Sequence, residues 1–332
     1  MPGPDGIPAY AYKVLGKFAE DILYDVVCCL GKEGHRDLLT SAYRDRCGEE
    51  SHAFTKSLLC CLPKKPSEID PEHGEIYAGE DTRPLALVNT DNRIIASAAR
   101  MCWERILENN FISHHQQGFL KGRSMLNNIL DIDYNAMTVS LKHAKGALLL
   151  FDFKAAFPSV SHDFLINSLR SIGLPDHAIS FVQALYYHNN CNISFRGTNY
   201  EGFGMDRGVR QGCPISPLLF AAAVDVLLRI LQRRLPEDTI RAFADDIGAV
   251  TTDFPASQAI LERTFAEFAE MSGLELNIKK TVCIPLWESG VADVPQTLQN
   301  TAWTDMSVAS HSTYLGFVQG PNKGDKSWIK PT

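Results

Sequence analysis

The most constraining feature of this sequence is a short apolar run that ends in an acid. Residues 147–157 read ALLLFDFKAAF, with Asp152 closing the run. A run of this length is typical of a strand buried on both faces, where Asp152 shares a face with Leu148 and Leu150. No Lys or Arg lies beside Asp152 on that face, and an unpaired buried carboxylate is costly. We therefore expect a partner from far along the chain, and the best candidate is AFADD at residues 242–246.

Length and composition describe a globular protein. A chain of 332 residues predicts two units of roughly 150 residues each. Hydrophobic residues make up 45% and charged residues 21%, an ordinary balance for a folded domain. The sequence has no apolar run as long as a membrane span and no signal peptide at its start. We expect a protein without a membrane partner that is a piece of a longer polypeptide.

The cysteines predict an intracellular protein. There are nine, with two adjacent pairs and no CxxC spacing. An odd count without a secretion signal is typical of reduced thiols, and the spacing of a zinc site is missing. The sequence does not distinguish nucleus from cytoplasm.

Net charge alone does not predict nucleic-acid binding. The chain carries −7, whereas a simple nucleic-acid binder is usually basic. Between Arg83 and Arg123, however, six Lys or Arg residues stand against three acids. Such a local surface is compatible with phosphate contacts, and a solvated helix face is the alternative.

Periodicity predicts mixed helices and strands. Residues 66–82 are predicted to be a loop because they are polar and marked by Pro and Gly. Strands are predicted over 55–62, 83–88, 147–153 and 274–278, and hairpins over 191–203 and 239–250. Helices are predicted over 10–29, 93–107, 124–142, 162–172, 176–187, 217–235 and 256–271.

The pair Asp245-Asp246 is expected at the turn of its hairpin. A straight strand points successive side chains to opposite faces, so presenting both acids at one site requires the turn. Together with Asp152 they form three carboxylates that need cations between them. Oxygen ligands favour Mg²⁺ or Mn²⁺, and two such ions clamp the oxygens of an in-line phosphoryl displacement. This pattern predicts nucleotidyl transfer.

Several motifs resemble those of reverse transcriptases, in the family's order. Three are polymerase motifs: FDFKAAFPSV (151–160), RGVRQGCPISPLLF (207–220) and AFADD (242–246). Further matching stretches are PGPDGIP (2–8), RPLAL (83–87), QGFLKGRS (117–124), GLELNIKKT (273–281) and YLG (314–316). Over roughly residues 1–318 the chain resembles the reverse transcriptase domain of non-LTR (LINE-like) retrotransposons.

The resemblance implies an α+β fold and RNA-directed DNA synthesis. The fold would be a right-hand polymerase palm, an antiparallel sheet with flanking helices, with mostly helical fingers and the thumb largely missing. The substrates would be an RNA template, a DNA primer and dNTPs, and other domains of a longer polyprotein would be partners. The implied divisions are fingers 1–144, a first palm strand 145–160, a fingers/palm insertion 161–210, palm 211–320, and a linker or start of a thumb 321–332.

The resemblance also assigns roles in the chemistry. Asp152 and Asp245 would hold the two metal ions, Mg²⁺ or Mn²⁺, with Asp246 assisting. Lys280 would donate a proton to the pyrophosphate leaving group. Lys279 competes for that role, because strand alternation does not decide between them.

Substrate contacts follow from the same motifs. Arg83, and with less support Arg93, would hold the triphosphate. Phe157 would lie beneath the sugar and exclude a 2′-OH, with plain core packing as the alternative. The nascent base pair and template would be contacted by Gln211, Gly212, Gln117, Gly122 and Arg123, although each basic residue has a solvated charge as its alternative.

Two departures and three alternatives accompany this interpretation. Pro158 and Cys213 stand where many relatives carry acids, at positions not expected to bind metal. A group II intron maturase or an RNA-dependent RNA polymerase is the first alternative, and Phe157 argues against ribonucleotides. The second is a non-catalytic remnant that only binds nucleic acid or a partner. The third is an inactive fragment.

Overall fold

The computed structural model describes residues 2–32, 34, 54–64, 66–72, 74–79, 82–321 and 323–324. Within them the α-helices are α1 Ala9–Leu15, α2 Lys17–Leu30, α3 Thr90–Asn110, α4 Met125–Lys142, α5 Ala156–Ser159, α6 His162–Ser171, α7 Asp176–Tyr186, α8 Ser216–Arg234, α9 Phe254–Ser272 and α10 Gly290–Leu298. The strands are β1 Ser57–Pro63, β2 Glu68–Asp70, β3 Gly74–Ile76, β4 Thr82–Val88, β5 Ala147–Phe151, β6 Asn190–Phe195, β7 Thr198–Gly204, β8 Thr239–Phe243, β9 Asp246–Thr251, β10 Val282–Pro285, β11 Ser307–Val308, β12 Ser312–Tyr314 and β13 Phe317–Gln319.

Most predicted elements are present, and three differ. The helix expected over 10–29 is two helices, because Gly16 adopts a positive φ of 52° between α1 and α2. The expected loop 66–82 contains the antiparallel pair β2–β3. The strand predicted over 274–278 is wrong: only Leu276 forms a bridge, to Phe153, and the regular strand is β10, further along the chain.

The chain divides into two compact units, each made of two stretches of sequence. The first unit comprises residues 1–103 and 165–216, and the second comprises 104–164 and 217–332. These units do not coincide with the predicted fingers and palm ranges, and the division into fingers and palm stays a prediction. Residues 104–144 belong with the second unit because the buried face of α4 packs on its sheet. Residues 211–216 belong with the first, where the Gln211 carbonyl accepts from Ala86 N–H at 2.8 Å.

The first unit contains a four-stranded sheet in the order β4-β1-β6-β7. Its strands β6 and β7 form a hairpin closed by Arg196 and Gly197, which both have positive φ. Two successive positive φ values are the geometry of a tight hairpin turn, which glycine adopts at low cost. The hairpin predicted around residues 196–199 is thus confirmed.

The second unit is built on a five-stranded sheet in the order β11-β10-β5-β9-β8. Strand β5 lies at its centre, antiparallel to both β9 and β10, and is buried throughout. Leu148 and Leu150 pack with Ile132 of α4 in one core cluster. On the opposite face, the Phe151 ring lies 4.5 Å from that of Phe265, centroid to centroid. The two-sided burial predicted for this strand is therefore confirmed.

Candidate active site

Asp152 leaves the centre of the sheet directly after β5, where a neighbouring segment fixes its backbone. The Asp152 carbonyl accepts from Asn277 N–H at 2.7 Å, and its own N–H donates to Thr281 Oγ1 at 3.4 Å. The buried Thr281 hydroxyl in turn donates to the Asn277 carbonyl at 3.0 Å. The segment after Gly273, through Asn277 and Thr281, therefore fixes the backbone of Asp152 at the end of β5.

The other two acids lie on the turn of the β8–β9 hairpin. The last pair of the ladder is Phe243 with Asp246, so Ala244 and Asp245 form the turn. Ala244 has a φ of 61°, a left-handed conformation that costs a non-glycine residue roughly 1–2 kcal/mol. Strand β9 also pairs with β5, and Asp246 stands one register step beyond the last β5–β9 pair, opposite Asp152. The turn thus brings three carboxylates to one end of the central strands, as predicted.

Gln116, a residue that the sequence analysis did not select, holds this turn. Its side chain is completely buried. Oε1 accepts from Ala244 N–H at 2.9 Å, and Nε2 donates to the Ala244 carbonyl at 3.0 Å. Both backbone groups of the strained residue are therefore paired by one amide. The resemblance begins at the neighbouring Gln117, and nothing in the sequence shows that Gln116 is the buried one of the two glutamines.

Two further residues missed from sequence also support the hairpin. A Cβ on Gly118 would lie only 2.2 Å from Ala244 N, so only glycine fits there. The hydroxyl of the buried Tyr314 donates to the Asp246 carbonyl at 3.3 Å. That tyrosine belongs to the YLG motif, but the motif alone did not indicate which atom it would contact.

Burial raises the pKa values of all three acids, and repulsion from neighbouring carboxylates adds to this for Asp245 and Asp246. Burial raises the pKa of Asp152, and the charge of Lys280 partly offsets this. Burial and then the charge of Asp152 raise the pKa of Asp245. For Asp246, burial and the charges of Asp245 and Asp152 raise the pKa to about 6. The site is therefore short of positive charge around its carboxylates.

The two candidate lysines differ in their relation to Asp152. Both side chains are exposed. Lys280 acts electrostatically on the Asp152 carboxylate, whereas the backbone carbonyl of Lys279 accepts from Ser307 Oγ at 3.0 Å. Lys280 is thus the lysine whose charge reaches the carboxylates.

Phe157 is half-buried in an aromatic contact within the second unit. Its ring stacks on that of Phe220 in α8, with centroids 4.4 Å apart and planes within 10°. Phe119 contacts it edge-on at 6.0 Å. The position of this ring, within the first motif, is therefore set by core packing, and part of the ring stays accessible.

The residues proposed for the template path in the second unit lie on the stretch between α3 and α4. Gln117 is half-buried and donates from Nε2 to the His114 carbonyl at 2.6 Å, and Gly122 is exposed with a φ of 78°. The Arg123 guanidinium donates to the carbonyls of Ile112 and Gln116 at 2.9 and 2.6 Å, and also to Ser113 O. Arg123 therefore stabilises the backbone of this stretch, and its contact with a template stays a prediction.

The remaining predicted residues lie in the first unit. Arg83 is exposed on β4, and Gly212 approaches that strand so closely that a Cβ would lie 3.0 Å from Ala86 O. Arg93 is half-buried in the first turns of α3 and donates to Thr90 Oγ1 at 3.1 Å. The carbonyl of Gln211 accepts from β4, which places the QG step of the second motif against the strand that carries Arg83.

The donor set suits a hard divalent cation. Carboxylate oxygens are the ligands that Mg²⁺ and Mn²⁺ prefer. Cations also relieve the repulsion that, after burial, raises the pKa values of Asp245 and Asp246. In the part of the chain that the structure describes, no three acidic, histidine or cysteine side chains are gathered at ligand spacing. The residues therefore fit a divalent metal by the chemistry of their donor atoms.

A family model decides the classification. The family described as "Reverse transcriptase (RNA-dependent DNA polymerase)" matches residues 63–318, most of the chain. This chain belongs to the reverse transcriptase family. Enzymes of this family generally use divalent metal ions, and the α+β fold with its palm-like sheet is that of the family.

Relatives in retrotransposons narrow the classification. The chain is 28% identical over 293 residues to an R2 Pol polyprotein of Nasonia vitripennis, covering 82% of this chain and 26% of that protein. It is 26% identical over 305 residues to the 149 kDa protein of transposon TX1 from Xenopus laevis, covering 88% and 22%. The prediction of a non-LTR reverse transcriptase domain is confirmed. The chain spans about a quarter of these relatives' length.

Solved structures agree on the fold. Telomerase from Candida albicans superposes with a TM-score of 0.55 at 12% identity, covering 86% of this chain and 47% of that one. Telomerase from Candida tropicalis gives the same TM-score and identity, with 85% and 46% covered. At this identity the likeness concerns the fold alone. None of the helices in the described ranges is long and apolar enough to cross a membrane.

Proposed function

We propose that this chain extends a DNA primer on an RNA template. The 3′-OH of the primer attacks the α-phosphate of a dNTP, and pyrophosphate leaves. The observation that carries this proposal is the grouping of Asp152, Asp245 and Asp246 at one end of adjacent strands. Burial raises the pKa of each acid, and the negative charge of neighbouring acids adds to this for Asp245 and Asp246. Such a set of hard oxygen donors is suited to binding metal-bridged phosphates.

The three carboxylates are the proposed metal ligands. Asp152 and Asp245 hold Mg²⁺ or Mn²⁺, and Asp246 assists from its more exposed position. When bound, the divalent ions supply the positive charge that stabilises the attacking and leaving oxygens. The strand end and the hairpin turn supply fixed anchor points for the three side chains.

Lys280 is the proposed general acid. Its positive charge lowers the pKa of the Asp152 carboxyl and so partly offsets the effect of burial. Donating a proton to pyrophosphate neutralises charge that develops on the leaving group, and such transfers contribute about 10²–10⁴-fold to rate. This influence on Asp152 favours Lys280 over Lys279.

Phe157 is the proposed barrier to ribonucleotides. The Phe157 ring stacks on Phe220, and this packing fixes the Phe157 side chain. The ring therefore cannot easily rotate away from an incoming sugar. A ring beneath the sugar leaves no room for a 2′-OH. Deoxynucleotides are then favoured by steric exclusion rather than by an added attractive contact.

The remaining residues are proposed to bind the charged and planar parts of the substrates. Arg83 and Arg93 hold the triphosphate, and Gln211 with Gly212 contact the nascent base pair. Gln117 and Gly122 line the template path, where Arg123 contributes by shaping the backbone around residues 112–116. Contacts with phosphates make binding of the template–primer salt-dependent. Other domains of a longer polyprotein are the proposed partners.

Primer extension tests the proposal directly. The 332-residue chain and its Asp245→Ala variant are compared on poly(rA)·oligo(dT) with dTTP and Mg²⁺. We expect extension by the native chain and none by the variant. A folded native chain that binds the duplex but does not extend it contradicts the proposal and favours a chain that only binds nucleic acid.

A further inference from the structure

The turn that carries Asp245 depends on contacts from outside its own hairpin. Ala244 lies beyond the last β8–β9 pair, so the ladder pairs neither its N–H nor its carbonyl. Its φ of 61° is also unfavourable for any residue with a Cβ. A turn of this kind persists only if its surroundings impose it.

Gln116 is placed to impose that conformation. Its Oε1 accepts from Ala244 N–H at 2.9 Å and from Gly118 N–H at 2.8 Å, while its Nε2 donates to the Ala244 carbonyl at 3.0 Å. Since one planar amide bonds both backbone groups of Ala244, it fixes the orientation of the peptide groups on either side. The next residue after Ala244 is Asp245.

The backbone around Gln116 is attached to the same hairpin. Ala242 N–H donates to the His115 carbonyl at 2.8 Å, and Gln117 N–H donates to the Ala242 carbonyl at 2.7 Å. These bonds form a parallel bridge between Gln116 and Ala242 at the edge of the sheet. Gly118 approaches Ala244 too closely for any side chain. The backbone that carries the Gln116 amide is therefore itself hydrogen-bonded to β8.

We propose that Gln116 is a positioning residue for catalysis: it holds the left-handed turn at Ala244 and so sets where Asp245 and Asp246 present their carboxylates. The expected effect on the rate of nucleotide incorporation rests on the proposed polymerase function. The structural part of the proposal, control of the turn, stands without that function. Gln116 itself lies behind the turn, buried, and touches neither substrate nor metal in this account.

A suppressor variant separates positioning from general stability. We call the three hydrogen bonds of the Gln116 side-chain amide to Ala244 and Gly118 the clamp. Gln116→Ala removes the clamp. Ala244→Gly removes the need for it, because glycine adopts a positive φ at little cost. We expect Gln116→Ala to lower the single-turnover rate at least about tenfold, with dNTP affinity changed less than about threefold. Adding Ala244→Gly to that variant should raise the rate, whereas it should not raise the rate of the native chain. Equal effects of Ala244→Gly in both backgrounds would overturn the proposal.

A matched control and a second measurement complete the test. Gln258→Ala removes another buried glutamine, which bonds Glu262 rather than the hairpin; an equal loss of rate there would refute a specific role for Gln116. Hydrogen exchange of the peptide covering residues 242–248 needs no polymerase activity. We expect faster exchange at Ala244 in Gln116→Ala, with β5 unchanged, and unchanged exchange at Ala244 would contradict the clamp. An inactive native chain with this exchange pattern would reject the polymerase proposal and keep the clamp.

Discussion

Replacing Asp246 with asparagine should stabilise the metal-free protein at neutral pH. The folded state raises the pKa of Asp246 from 3.8 to about 6, through burial and the charges of Asp245 and Asp152. A carboxyl whose folded pKa lies above its unfolded value binds its proton more tightly when folded. The ionised group therefore destabilises the fold, fully above the folded pKa and not at all below the unfolded one. Asparagine keeps the shape and removes the charge.

The size of the effect follows from that shift. A change of about two pKa units corresponds to about 3 kcal/mol. Protein atoms surround the Asp246 carboxyl, but its side chain keeps a large accessible surface, and screening by solvent reduces this to about 1 kcal/mol. For a unit of about 150–250 residues, 1 kcal/mol moves the melting temperature by about 2–4 °C. The stability of Asp246→Asn relative to the native chain should increase between about pH 4 and pH 6 and stay constant above that range.

Thermal unfolding in EDTA, from pH 4 to pH 8, measures this difference between Asp246→Asn and the native chain. At pH 4 the two should melt together, which provides an internal control for the substitution itself. Adding Mg²⁺ at pH 7.5 should then stabilise the native chain more than the variant, because binding to the folded state raises its stability. A difference that does not change with pH, or a variant less stable at pH 7.5 in EDTA, would refute the electrostatic reasoning.

Three further variants test other parts of the site. Lys280→Ala should slow single-turnover incorporation about 10²-fold, and Lys279→Ala clearly less; the reverse order would exchange their roles. Phe157→Ala should raise the use of UTP relative to dTTP on poly(rA) at least about tenfold, whereas unchanged selectivity would leave the ring with packing alone. Gly118→Ala places a Cβ 2.2 Å from Ala244 N and should cost about 1–3 kcal/mol in urea unfolding. Its control Gly79→Ala, with nothing within 4 Å, should change stability by less than about 0.5 kcal/mol; equal costs would contradict the close approach.

The sequence predicted the parts of the fold whose pattern is local. An apolar run buried on both faces identified β5, and the pairing of Phe151 with Phe265 on one side and Leu150 with α4 on the other follows from alternation along a strand. The turn at Asp245 was required by the same alternation. These predictions needed only the geometry of a single element.

Contacts between distant segments were not predictable in this way. The strand expected over 274–278 alternates in sequence, yet its backbone bonds Asp152 and Lys154 at single points, and the regular pairing with β5 begins at Val282. Tertiary hydrogen bonds decided that segment. The packing of α4 depends on such contacts too, since this helix follows a stretch resembling a fingers motif but buries its apolar face on the central sheet.

The sequence did not indicate the residues that support the site, because their role depends on hydrogen bonds that only the folded chain brings about. Gln116 and Gln117 are chemically identical neighbours, and only the fold places one of them behind Ala244. Thr281 shows no feature in sequence beyond following two lysines, although its buried hydroxyl bridges Asp152 and Asn277. The motifs identified the charged residues of the site. The structure was needed to identify the residues, such as Gln116 and Thr281, that hydrogen-bond the backbone next to those charged residues.

The most direct test of the account is single-nucleotide incorporation by Asp152→Asn. Primer–template binding is measured first, so that only folded, binding-competent protein is compared. We expect the native chain to add one dNTP to a DNA primer on RNA in the presence of Mg²⁺. The variant should bind the same duplex within about threefold and add a nucleotide at least about 10³-fold more slowly, because it removes an interaction needed in the transition state. Incorporation by Asp152→Asn at the native rate would contradict the assignment of these carboxylates to the reaction.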